Sequence, residues 1–132
     1  MIARPLATTR LATRDPSFVV VEWSDDGQTT RQSPVAPLHL HRNEDEAWIV
    51  LEGRLGVQLG EEDAVLTVGD AVLAPRGTPH TYWNAGDGLL RYVLVMGPRT
   101  AALIDALHRP RTNDLAVLFN EYDAELLPSG GG

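Results

Sequence analysis

The sequence predicts an all-β fold, an antiparallel sandwich or barrel followed by one or two short C-terminal helices. Three observations carry that expectation. From Ala36 to Met96, short apolar runs are broken every several residues by Gly, Pro, Asn or Asp, the spacing of a small β-sandwich or barrel. No stretch of that region is long enough for a crossover helix, which argues against a parallel α/β sheet. After Pro98 the apolar residues change to helical spacing.

Taken in order, residues 1–16 read as a polar arm ending in the turn initiator Asp15-Pro16. Phe18–Trp23 is β-branched and aromatic and runs into Asp25-Asp26-Gly27, so a strand ending in a tight turn is expected. The barrel, residues 17–98, is built from the runs Leu38–His41, Ala47–Leu51, Leu55–Leu59, Ala64–Val68, Ala71–Ala74, His80–Trp83 and Leu89–Met96. Residues 99–127 form a helical segment. Thr100–His108 is rich in Ala and Leu, and Leu115, Leu118, Phe119 and Tyr122 fall at i, i+3, i+4 and i+7, with Asn113 or Asp114 as N-cap. Residues 128–132, ending in Gly-Gly-Gly, have nothing to anchor them and are expected to be disordered.

Composition narrows the function classes. At 132 residues the chain is one domain with enough bulk to sustain a core. Absence of cysteine removes disulfides, thiolate metal sites and cysteine nucleophiles. A net charge of −7 has the wrong sign for nucleic acid or an anionic membrane surface. Apolar runs of four or five residues are far too short for a membrane span. Arg4, Arg10 and Arg14 precede no apolar stretch of signal-peptide length, so a soluble cytoplasmic domain is expected.

The chemistry lies in the histidines. His39 and His41, two apart in a strand, leave the same face of the sheet with Cα atoms about 6–7 Å apart. Glu44, Asp45 and Glu46 follow at once, and any of them could supply the carboxylate that offsets a cation's charge. His80 starts a later run after the rigid corner Pro75-Arg76-Gly77-Thr78-Pro79. Three imidazoles and one carboxylate suit Fe, Mn, Ni, Zn, Co or Cu rather than Ca or Mg. Four protein ligands would leave an octahedral ion two open positions, the mark of a working site. The plainer reading is a polar His-x-His pair on a solvated face.

The stretch from Ser33 to Met96 resembles the cupin superfamily. Its first motif is Gly, five residues, His-x-His, three or four residues, Glu, six residues, Gly; the chain has His39-Leu40-His41, Glu46 and Gly53, with Ser33 in place of the leading Gly. The second is Gly, five residues, Pro-x-Gly, two residues, His, three residues, Asn, and it is met by Gly69, Pro75, Gly77, His80 and Asn84. The resemblance implies a double-stranded β-helix, or jelly-roll, barrel. It also implies one divalent transition metal held by His39, His41, Glu46 and His80. Glu44 and Asp45 then become solvated turn charges, Asn84 a strand-end residue, and His108 a surface residue without special role.

Strand parity extends the site. If Glu46 points inward, so do Trp48 and Val50; if His80 does, so does Tyr82. Trp48 and Tyr82 would flank the metal as an aromatic wall, or else be ordinary barrel core; Trp23 and Trp83 have no such placement. Within the superfamily, the segments Glu44–Gly53 and Pro75–Asn84 are similar to those of quercetin-type dioxygenases. That similarity implies an oxidoreductase on a small organic molecule, with Glu46 doubling as base. The alternatives are a non-redox isomerase or cyclase of a natural-product pathway, and a non-catalytic ligand-binding module. Small cupins pair, so a homodimer is expected, with Phe18–Trp23 as the apolar strand offered to it.

Overall fold

The computed structural model describes all residues except 8, 111–113 and 129–132, so the expected disordered tail falls almost wholly outside the described residues. Two antiparallel sheets face each other as the jelly-roll expected. One has the order β1 (Val19–Asp25), β8 (Leu90–Met96), β3 (Glu46–Glu52), β6 (Ala71–Ala74). The other has the order β5 (Glu62–Leu66), β4 (Leu55–Leu59), β7 (His80–Asn84), β2 (His39–His41), β9 (Ala124–Leu126). Period-two alternation decides what lies between them: Val19, Val21, Trp48, Val50, Leu55, Val57, Leu90, Tyr92, Leu94 and Met96 are all buried. In β8 the alternation is complete, with every second residue buried from Leu90 to Met96.

β9 is an addition to the expected pattern. The segment read as wholly helical returns as a strand and pairs antiparallel with β2, Ala124 opposite His41 and Leu126 opposite His39. Three residues were too short to stand out beside two helices. The helices α1 (Pro98–Leu107) and α2 (Leu115–Glu121) form as expected. Proline at the first position of α1 gives up only an N–H that has no helical partner. Asp114 is the N-cap of α2, its carboxylate accepting the Val117 N–H at 2.8 Å. A second apolar cluster, Leu103, Ala106, Leu118, Phe119 and Ala124, holds α1, α2 and β9 together.

No helix among the described residues is long and apolar enough to cross a membrane.

Candidate metal centre

β2 and β7 lie side by side with His39 opposite His80, so two imidazoles meet across one ladder. His41 leaves the same face as His39, two residues on. Glu46, first residue of β3, reaches in from the facing sheet. The positions of all three histidines follow from local chemistry around them. Gly77, with φ of +80°, takes a conformation that costs only glycine nothing, and its N–H donates to the His41 carbonyl at 2.7 Å. That bond fastens the corner preceding His80 to β2. Asp45 fastens it from the other side, accepting the Arg76 N–H at 2.8 Å.

One ligand atom from each of His39, His41, Glu46 and His80 lies within 4.8 Å of all the others, and all four residues are buried. Glu46 Oε1 is 3.1 Å from His80 Nε2 and 3.2 Å from His41 Nε2. The outer nitrogens of two rings are fixed from behind: His39 Nδ1 donates to the Pro37 carbonyl at 2.7 Å and His80 Nδ1 to the Thr78 carbonyl at 2.9 Å. His39 therefore presents Nε2 as a lone pair toward the centre, the usual arrangement behind a metal-bound histidine, while His80 Nε2 meets Glu46 Oε1 at 3.1 Å.

The protonation states suit a cation. Burial, helped by the neighbouring His80 and His41, pushes His39 down to about 3, so it is neutral at physiological pH. Burial would raise Glu46, but the close approach of His41 and the hydrogen-bond contact with His80 outweigh it and hold the carboxyl at about 2. Metal ligands must be neutral imidazole and ionised carboxylate, and these two already are.

One observation separates a metal centre from a merely hydrogen-bonded cluster. Neither ring nitrogen of His41 makes an aligned hydrogen bond, although both are buried; the 3.2 Å approach to Glu46 lacks the geometry of one. A buried polar atom left so costs on the order of 1–3 kcal/mol, and a coordinated ion would remove that cost at Nε2, the nitrogen that faces Glu46. The donor set therefore fits a first-row transition ion.

One cavity lies at the centre and a second adjoins that cavity. The inner one, about 30 Å³, is lined by His39, His41 and Glu46 and roofed by Thr100, Leu103 and Ile104 of α1 and Phe119 of α2. The Phe119 ring stands edge-on to His39 at 5.3 Å. The outer one, about 720 Å³, falls within the range of small-molecule sites. Ala36, Tyr82, Ile104 and Leu107 border both.

The four expected ligands thus come together, and Tyr82 lines both cavities. Trp48 and Val50 do not. They point inward as parity requires, but they line neither cavity, because the barrel at that depth is filled by side chains. Trp48 is fully buried and stands behind the site, its ring 5.5 Å from His80 and 5.3 Å from Tyr82. Glu44 and Asp45 lie in the turn as expected, Asp45 exposed, but each also makes structural hydrogen bonds. Asp45 braces the His80 corner, and Glu44 caps α1 by accepting the N–H groups of Arg99 and Thr100. Asn84 is a strand-end residue as expected, tying the Asp25 and Gly88 carbonyls together.

Sequence reasoning missed Trp23, Tyr92, Phe119 and His108. The helical spacing that placed Phe119 on the apolar face of α2 was its available signal. Trp23 and His108 had none, since their meeting depends on how the C-terminal segment folds back. Trp83 is buried on the outer side of its sheet, under the Arg31 guanidinium at 5.1 Å.

The family model described as "Cupin domain" matches residues 29–96, about half of the chain. Over 46 residues the chain is 44% identical to quercetin 2,3-dioxygenase of Bacillus subtilis (strain 168), a stretch covering 35% of this chain and 14% of that enzyme. The chain thus matches about a seventh of the length of this curated relative. Among solved structures, KdgF from Halomonas sp. is similar at 26% identity and a TM-score of 0.54, over 67% of this chain and 73% of that one. A protein with a double-stranded β-helix domain from Klebsiella pneumoniae subsp. pneumoniae MGH 78578 is similar at 29% identity and a TM-score of 0.52, over 67% and 71%.

Proposed function

The chain belongs to the cupin family, and we propose that it is a metal-dependent enzyme of the dioxygenase type acting on a small organic molecule. The observation that carries this reading is the buried four-ligand cluster, with His41 lacking hydrogen-bond partners, set against a cavity of organic-ligand size. The short match to quercetin 2,3-dioxygenase supports the redox version.

Bound there, a first-row transition ion supplies Lewis acidity and, if redox-active, one-electron chemistry. The chain's own residues do the rest. The inner cavity, about 30 Å³, has room for an ion and a water-sized group but for no organic skeleton. The skeleton is held in the outer cavity, and only a substrate oxygen passes the shared wall. Glu46, ionised and buried, can take the proton of a substrate hydroxyl arriving there. Tyr82 stands in the wall. Burial raises its phenol well above the ordinary value, with Tyr92 and Glu46 adding to the rise, so it remains a hydrogen-bond donor. The Tyr82 and Tyr92 hydroxyls lie 3.3 Å apart, and either can donate to the other, so a ligand oxygen beside Tyr82 can take its proton while Tyr92 donates in turn.

An acid and a base on one wall, Tyr82 and Glu46, would equally serve an isomerase or cyclase that uses the metal without redox change. Metal-loaded protein, assayed against a panel of hydroxylated small molecules with an oxygen electrode and product analysis, separates the readings. Oxygen uptake coupled to substrate loss, reduced on the order of a hundredfold in Glu46→Gln, supports the dioxygenase. Conversion that proceeds equally without oxygen assigns the isomerase or cyclase. Binding without conversion assigns a ligand-binding module.

We also propose a homodimer, formed through a different surface from the strand singled out in the sequence. Val19 and Val21 of β1 turn into the core. The outer face of the same sheet brings Ala47, Ile49, Leu73 and Val95 together across β3, β6 and β8, with Ile49 and Leu73 exposed. Contiguous apolar faces of this kind mark contact surfaces. A monomer at micromolar concentration in light scattering would contradict the dimer.

A further inference from the structure

The outer cavity has a chemical character set by residues outside the two histidine-bearing motifs. Its sides are aromatic: Trp23 from β1, Tyr92 from β8 and His108 at the end of α1. The Trp23 and His108 rings are stacked, their centroids 5.7 Å apart and their planes 7° from parallel, an offset pair in which each ring braces the other and which offers flat aromatic surface to the cavity. His108 Nδ1 donates to the Ile104 carbonyl at 2.8 Å. In the neutral ring that bond places the proton on Nδ1 and leaves Nε2 as an acceptor. Tyr82, which borders both cavities, supplies a hydroxyl from the side shared with the inner one.

Charge in the cavity is one-sided. Asp25 and Asp26 line it, and none of its described lining residues is an arginine. The chain has no lysine at all. The Asp25 carboxylate is held by the turn after β1: it accepts the N–H groups of Gly27 and Gln28 at 2.9 and 3.0 Å, and the Thr29 hydroxyl. Arginines that could have served the cavity are engaged elsewhere, Arg10 with Asp105, Arg31 with Asp63 and Arg91 with Glu22. A phosphate, sulfonate or carboxylate entering here would meet two carboxylates and no described cation to receive it.

We propose that the outer cavity binds a flat ring ligand carrying no negative charge, seated against the Trp23–His108 wall, with Tyr82 and His108 Nε2 as its hydrogen-bonding partners. This deepens the enzymatic reading above and rests on it for the ligand's role as substrate; the binding itself does not depend on the metal. It also separates this cavity from sites built for phosphorylated sugars, which need a cation where this chain places aspartates.

The test uses two probes that share a ring and differ in charge, 2-naphthalenemethanol and naphthalene-2-sulfonate. Both are titrated by calorimetry into the whole chain, metal-loaded and chelator-treated. The expected result is that the alcohol binds at least about tenfold more tightly than the sulfonate in both preparations. Trp23→Ala should weaken the alcohol at least about fivefold, Trp23→Phe should largely retain it, and Asp26→Asn should narrow the gap between the probes. Equal or tighter binding of the sulfonate, no detectable heat with either probe, or an unchanged affinity in a folded Trp23→Ala overturns the proposal. Because the chelated protein reports on the cavity alone, a failed metal or turnover assay leaves this result standing on its own.

Discussion

Glu44 Oε1 accepts both the backbone N–H and the hydroxyl of Thr100, at 2.7 and 2.8 Å, while its other oxygen takes the Arg99 N–H at 3.0 Å. A carboxylate from the turn between β2 and β3 thus does what the N-cap residue itself, Gly97, cannot do for α1. A Cβ at that position would meet the Glu44 carboxylate at 2.2 Å, so a larger residue there would push this carboxylate off the helix N-terminus. The contact joins the ligand-bearing turn to the helix that roofs the inner cavity. Glu44→Ala is expected to lower stability by about 1–2 kcal/mol in chemical denaturation. An unchanged midpoint would show that the roof is held by apolar contacts alone.

Trp48 is expected to report on stability rather than on ligand affinity. It is fully buried and lines neither cavity, so Trp48→Ala removes a large ring from the centre of the core and should cost about 3–5 kcal/mol. A thermal or denaturant transition measures the loss. A variant of near wild-type stability with impaired ligand binding would return Trp48 to the pocket.

The metal-free cluster makes the fold sensitive to acid, and the sign follows from two groups. His39 is lowered from 6.5 to about 3, first by burial and then by His80 and His41, so between those values the unfolded chain takes up a proton that the folded chain refuses. Glu46, which burial alone would raise, is lowered from 4.5 to about 2 by the close approach of His41 and the hydrogen-bond contact with His80, and adds the same demand over that lower range. Stability contributed by both is present above about pH 6.5 and falls as the pH drops, more steeply below about 4.5. Denaturation of chelated protein from pH 7 to pH 4 should show a loss on the order of a few kcal/mol. A flat profile would contradict the protonation states assigned here.

How much of this was legible in the sequence depends on whether the signal was local. His39, His41 and His80 announce themselves through two-residue spacing and a proline–glycine corner, both properties of a few neighbouring residues. The choice of Glu46 among three acidic residues needed the family motif, and the structure gives its physical reason. Glu46 begins a strand and points between the sheets, whereas Glu44 and Asp45 stay in the turn and bond to α1 and to Arg76. Parity placed Trp48 inside correctly but could not tell a filled layer of the barrel from an open one. The outer cavity was least legible: Trp23 and His108 are 85 positions apart, and only the return of α1 across the barrel mouth brings their rings together.

The most direct test of the account is metal analysis of untagged protein, purified without chelator and never exposed to a nickel column, beside His41→Ala. The account predicts about one first-row transition metal per chain, lost in the variant while the fold persists by circular dichroism. Wild-type protein that carries no metal and takes up none of Fe, Mn, Ni, Co, Cu or Zn on reconstitution, or a His41→Ala variant that retains it, would contradict the assignment of His39, His41, Glu46 and His80 as a metal centre.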